Sequence, residues 1–126
     1  MREIVIGNRD SDCVIVRVKH SDADGLSVTA EAQVGEFRGF ADSWTLRGTL
    51  LHLAQELRDL EQKLEGRVEF SLTDGELDCE FVGDGKGHIR IAGTLRRYPN
   101  TELKFEFAID QTYLGPIARE LEAAER

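Results

Sequence analysis

Residues 43–65 read SWTLRGTLLHLAQELRDLEQKLE. Leu46, Leu50, Leu53, Leu57, Leu60 and Leu64 recur at alternating steps of four and three. Such steps put every leucine on one stripe of an α-helix and leave Arg58, Asp59, Glu61, Gln62 and Lys63 around the outside. Asp42 or Ser43 is placed to accept from the first-turn N–H groups, and Gly66 offers the left-handed residue that ends a helix. The stripe also resembles a coiled-coil seam, but it covers only three heptads and has alternating segments on both sides. A core helix over 43–65, lying on a sheet, is expected.

Those flanking segments have period two. In Asp12–His20, Val14, Val16 and Val18 face one way and Ile15, Arg17 and Lys19 the other; Leu26–Val34 alternates in the same manner. Each reads as a strand with one wet face, and Ser21–Gly25 between them has the small polar residues of a hairpin turn. Glu3–Ile6 fits a short first strand. After Gly66, inward rows follow at Val68–Leu72, Leu77–Phe81, Ile89–Leu95 and Leu103–Ile109, with turns at Asp74-Gly75, Asp84–Gly87 and Pro99-Asn100. Hairpin-length turns imply antiparallel neighbours. Gly93 falls on an inward row, where it marks a bulge or makes room for the helix. Asp110 suits the N-cap of a last helix, about 111–124, whose body starts properly at Pro116. The closing EAAER is expected to fray. The expected architecture is α+β: residues 1–126 as a single domain, an antiparallel sheet of six or seven strands around the leucine face of 43–65, and the short C-terminal helix docked at an edge.

Composition narrows the function. The chain of 126 residues carries a formal charge of −8, and its basic residues never cluster beyond Arg96-Arg97. That distribution lacks the basic footprint of a nucleic-acid binder and would attract cationic partners. No apolar run approaches the ~20 residues that span a bilayer. MREIVIGNRD is no signal peptide, so a cytoplasmic location is expected. Cys13 and Cys79 lie inside strand patterns and read as buried thiols.

Motifs of chemistry are weak. His20, His52 and His88 have no metal-ligand spacing among themselves or with a cysteine, so no metal is expected. Asp22-Ala23-Asp24-Gly25 starts like a calcium loop, yet its twelfth position is Gln33, not glutamate. Gly83–Gly87 is glycine-rich but leads into a strand, which suits a hairpin and not a phosphate loop. No serine sits in a nucleophile elbow. No catalytic residue and no cofactor is expected, and the chain reads as a non-enzyme.

The stretch Phe105–Leu114, FEFAIDQTYL, enters the last helix through a polar junction. It follows Phe37–Phe40, Trp44, the leucine helix, the strand from Gly66 and the strand start Gly87-His88-Ile89. This order of parts resembles the WapI-type immunity proteins across most of residues 35–122. The resemblance implies a small bacterial protein that neutralises the toxic C-terminal domain of a secreted or cell-surface protein. It carries no catalytic signature. Binding of a cognate toxin domain, itself basic, is the leading expectation. A generic interaction module, monomeric or homodimeric, and a small-ligand binder or enzyme with an unrecognised pocket are the alternatives. The acidic residues Glu69, Asp74, Glu76, Asp78 and Glu80 of the 66–82 hairpin, with Asp22 and Asp24 of the earlier turn, are the expected partner-binding positions. Pairing of these carboxylates with Arg90, Arg96, Arg97 and Lys104 across a solvated face is the competing structural reading.

Overall fold

A helix stands between two runs of hairpins, and each run closes on itself as a sheet. The computed structural model describes residues 2–125. The first four strands are β1 (Arg2–Gly7), β2 (Cys13–Ser21), β3 (Gly25–Val34) and β4 (Phe37–Leu46), and the helix α1 (Thr49–Lys63) follows. Next come β5 (Glu65–Ser71), β6 (Leu77–Asp84), β7 (His88–Arg97) and β8 (Thr101–Asp110), then a 3-10 turn (Gln111–Tyr113) and α2 (Leu114–Glu125). Both sheets are antiparallel meanders, in the orders β1-β2-β3-β4 and β5-β6-β7-β8. We call them sheets A and B.

The α+β class agrees with the sequence reading, but a single sheet of six or seven strands does not. Eight strands form two sheets because β4 does not pair with β5; α1 separates them. The long helix over 43–65 is corrected too. Residues 43–46 belong to β4, and the helix is 15 residues long. Leu46 lies by coincidence in phase with the helical stripe. The break is Gly48, at φ 94°, a left-handed conformation that suits glycine and forbids simple continuation from strand to helix.

β4 escapes pattern reading for a packing reason. Its inward positions, Gly39, Ala41, Ser43 and Thr45, are small, while Phe40, Trp44 and Leu46 point outward. Small residues are needed there because sheet B lies close. A Cβ on Gly39 would sit 3.2 Å from the Leu95 side chain and 3.6 Å from that of Leu103. The hydrophobic pattern of β4 is thus inverted relative to its neighbours.

The core is one contiguous cluster. Sheet A contributes Ile4, Ile6, Val14, Val16, Leu26 and Val28; sheet B contributes Phe70, Leu77, Phe81, Ile89, Ile91 and Phe107. Leu50, Leu53, Leu57 and Leu60 of α1 join them, as the leucine spacing implies, with Leu114, Ile117 and Leu121 of α2. Gly93 marks no bulge, because the β6–β7 and β7–β8 registers run through it unbroken. Nor does it make room for the helix: a Cβ there would meet the two neighbouring strands, with Asp78 O at 2.3 Å and the Phe105 ring and Cys79 Cβ at 2.8 Å.

The helix ends differ from expectation. Neither Asp42 nor Ser43 caps α1. The carboxylate of Glu125, at the far end of α2, accepts from Gly48 N at 3.0 Å and Leu50 N at 2.8 Å. At the other end Leu64 is the left-handed C-cap, at φ 64°, and donates its N–H to Leu60 O; Gly66 also has a positive φ, 128°, but lies beyond the cap, in β5. Asp110 does act as an N-cap, accepting from Thr112 N. However, a 3-10 turn and the helix from Leu114 take the place of a start at Pro116. The last residues do not fray within the described range, since Ala124 and Glu125 are buried. α2 lies along the free edge of β1, where Glu120 accepts from Val5 N at 2.9 Å and Arg2 donates to Ala123 O at 2.7 Å.

Candidate functional site

The expected acidic positions divide into two groups. Glu69 on β5 and Asp78 and Glu80 on β6 lie in the middle of the outward face of sheet B. Around them are Arg67, Arg90, Arg96 and Lys104, and further carboxylates at Glu102 and Glu106. Arg96 holds Asp78 at 2.5 Å and Glu102 at 3.3 Å. Glu80 lies between Arg67, at 3.2 Å, and Arg90, at 3.5 Å, which also reaches Glu106. Pairing with Asp78 holds the Arg96 guanidinium even above its usual range. Opposite charges on neighbouring strands therefore pair across this face. They enclose an open depression of about 460 Å³ over Ala92, Gly93 and Thr94, where side chains are short.

The second group brackets one end of β4. Asp22 and Asp24 sit in the β2–β3 turn. The Asp22 carboxylate accepts from Asp24 N and Gly25 N, bonds that hold it below the ordinary aspartate value. That is the chemistry of a turn, which answers the calcium-loop likeness: its first carboxylate is already committed to backbone N–H groups. Asp74 and Glu76 sit in the β5–β6 turn. This turn docks on the edge of β4, with Thr73 N donating to Trp44 O at 3.1 Å and Ser43 Oγ to Glu76 Oε1 at 2.5 Å. Chain folding thus brings two acidic turns, far apart in sequence, to the two sides of Trp44 and Leu46.

Sequence reading passed over the surface between them. Trp44 is 40% exposed and Leu46 57%, on a strand whose inward neighbours are closed. Phe40 is also exposed, with the Arg38 guanidinium over its ring. The available signal was the alternation of large and small residues over 38–46, in which the large ones take the wet face. Beside these residues a charge ladder runs across the strands on the outward face of sheet A. Arg9 pairs with Glu3, Glu3 with Arg17, Arg17 with Glu31 at 2.9 Å, and Glu31 with Arg38 at 3.2 Å. Glu31, read as simply outward, is buried beneath it.

The remaining sequence features take structural roles. In the Gly83–Gly87 hairpin, the Asp84 carboxylate accepts from Lys86 N and His88 N, which lowers its pKa. His88 Nδ1 lies 3.1 Å from Asp84, and His52 pairs with Glu56 along α1. Among the described residues, no group of three or more His, Cys, Asp or Glu could hold a metal ion. Both thiols are free and buried, and burial pushes Cys79 up to about 12. Asp110 and Tyr113 of the DQTYL junction line a second open depression of about 430 Å³ with Asn8, Asp12 and His88. Among the described residues, no helix is long and apolar enough to cross a membrane.

Comparison with known families adds the decisive observation: the family model described as the immunity protein WapI-like family matches residues 4–126. The chain belongs to the WapI-like immunity protein family. The match begins within β1 and takes in every later strand and helix of the described residues, so it reaches the N-terminal sheet that the sequence resemblance, over 35–122, did not. No curated protein and no solved structure matches the chain. WapI-like membership points to a toxin-neutralising immunity protein.

Proposed function

We propose that this protein is a non-enzymatic immunity protein that binds a cognate toxin domain in the cytoplasm and blocks it. The observation that carries this reading is the WapI-like family match over residues 4–126. The shape of the surface supports it. The two depressions described above are open to solvent, which suits a protein partner better than a small ligand enclosed on most sides. The single contiguous core supports treating residues 1–126 as one folding unit.

The partner is a basic domain. A chain of formal charge −8 attracts a cationic surface and speeds its encounter. Glu69, Asp78 and Glu80 contribute to that long-range field, although nearby arginines offset them at close range. Asp22, Asp24, Asp74 and Glu76 act at shorter range, because their turns project beside exposed apolar side chains. The test is co-expression. Cells producing the C-terminal domain of a large secreted protein encoded beside this chain should stop growing, and producing this protein with it should restore growth. Continued arrest, with both proteins present and folded, would exclude the immunity reading.

A further inference from the structure

Three exposed apolar side chains gather at one end of the molecule. Trp44 and Leu46 stand on the outward face of β4, and Tyr98, 63% exposed, stands beyond the 73–76 turn. We propose that Trp44 and Leu46, with Tyr98, form the apolar anchor by which this protein holds a cationic toxin domain, with the acidic turns on either side selecting for positive charge. This rests on the immunity reading and adds to it the surface and the mode of binding.

Exposed aromatic groups of this size release much ordered water when covered, and tryptophan and tyrosine are over-represented among the few residues that dominate binding energy. These side chains are also held in place in the free protein. The Trp44 ring packs against Gly25, where a Cβ would come to 2.7 Å from two of its ring carbons. The Trp44 carbonyl is bound by Thr73 N, and the Tyr98 hydroxyl donates to Asp74 O at 3.0 Å. Side chains fixed before contact lose little freedom on binding.

Charge identifies the occupant. Asp22 and Asp24 lie on one side of Leu46, since Arg47 N donates to Asp24 O and Gly25 pairs with Leu46. Asp74 and Glu76 lie on the other side of Trp44. Two of the cations beside these turns rest on turn carbonyls, Arg47 on Asp22 O and Arg96 on Gly75 O, and their charges are paired with Glu125 and with Asp78 and Glu102; Lys19 is paired with Asp42. Among the described residues, the carboxylates of Asp22, Asp24, Asp74 and Glu76 form no ion pair, which leaves a negative field beside the apolar groups. A second copy of this chain would bring the same acidic turns against themselves and be repelled. A basic protein surface with an apolar projection is accommodated on both counts.

The test measures binding to the C-terminal domain of the neighbouring secreted protein by biolayer interferometry, with thermal melting of each variant as a folding control. Leu46→Lys and Tyr98→Ala alter exposed groups and should keep the fold, while Trp44→Ala also uncovers Gly25. Each is expected to weaken binding at least about 30-fold, chiefly through faster dissociation. Asp74→Asn with Glu76→Gln should slow association and flatten its salt dependence. Glu106→Gln, on the outward face of sheet B, should change affinity by less than about threefold. Wild-type binding with unchanged affinity in folded Leu46→Lys and Tyr98→Ala would overturn the anchor and leave the immunity reading intact. Absence of wild-type binding would overturn both. A concentration-dependent dimer of the protein alone, abolished by Leu46→Lys, would assign the face to a second copy and overturn the proposal.

Discussion

Replacing Glu125 tests the most unexpected contact in the fold. Its carboxylate is almost fully buried and accepts from Gly48 N at 3.0 Å and Leu50 N at 2.8 Å, with Arg47 3.8 Å away. It therefore serves as the N-terminal cap of α1 from a position 75 residues distant from Leu50. Loss of a side-chain cap costs about 1–2 kcal/mol, and loss of a negative charge at a helix N-terminus adds roughly 0.3–1. Glu125→Ala should thus destabilise by about 1.5–3 kcal/mol. In the size range of this chain, that lowers the melting midpoint by roughly 5–15 °C. Glu125→Gln keeps an acceptor but loses the charge, so it should cost about half as much. Circular dichroism melts of the three proteins at neutral pH provide the measurement. If Glu125→Ala melted within a degree of the parent, the capping role of α2 would be refuted, and with it the reason why α1 begins at Thr49.

Other outcomes depend on the same packing. Leu57→Ala, at a fully buried position in α1, should lower stability by about 2–5 kcal/mol in urea titrations. Gly93→Ala places a Cβ 2.3 Å from Asp78 O and should cost about 1–3 kcal/mol through a local shift of β6 or β7, read in the same assay. Cys13 and Cys79 should react with a thiol reagent far more slowly in the folded protein than in denaturant; equal rates would contradict their burial. For Asp22, Asp42, Asp84 and Asp110 the folded pKa lies below the ordinary 3.8, and for Glu3 below 4.5. Their stabilising effect is complete above those ordinary values and is lost as pH falls through the lower, folded ones. Melting midpoints should therefore stay level down to about pH 5 and decline below about pH 4, and a rise in that acid range would contradict the hydrogen bonds assigned to these carboxylates.

Strands with large inward residues were legible in the sequence. The rows Val14-Val16-Val18, Leu26–Val34 and Leu103–Ile109 appear where alternation places them, because burial on one face imposes period two. β4 was hidden because close approach of sheet B demands Gly39, Ala41 and Ser43 on its inward face, which inverts the signal. The same inversion put Trp44 and Leu46 on the surface, so the fold error and the overlooked apolar patch share one cause. Division into two sheets was not legible, since hairpin turns fix local pairing and do not say which hairpins join. Nor was the cap from Glu125, a contact between the chain end and its middle that no local pattern encodes. Of the acidic residues of 66–82, Glu69, Asp78 and Glu80 face outward as the alternation implies, but the charge there is largely offset by Arg67, Arg90 and Arg96, while Asp74 and Glu76 lie in the turn that docks on β4; only three-dimensional register shows that.

Formation of a complex is the most direct test of the immunity function. This protein and the C-terminal domain of the neighbouring secreted protein, co-expressed with a tag on one of them, should elute together from a sizing column, and the toxin domain in that peak should be inactive. Separate elution, or an active toxin domain within the shared peak, would contradict neutralisation by binding.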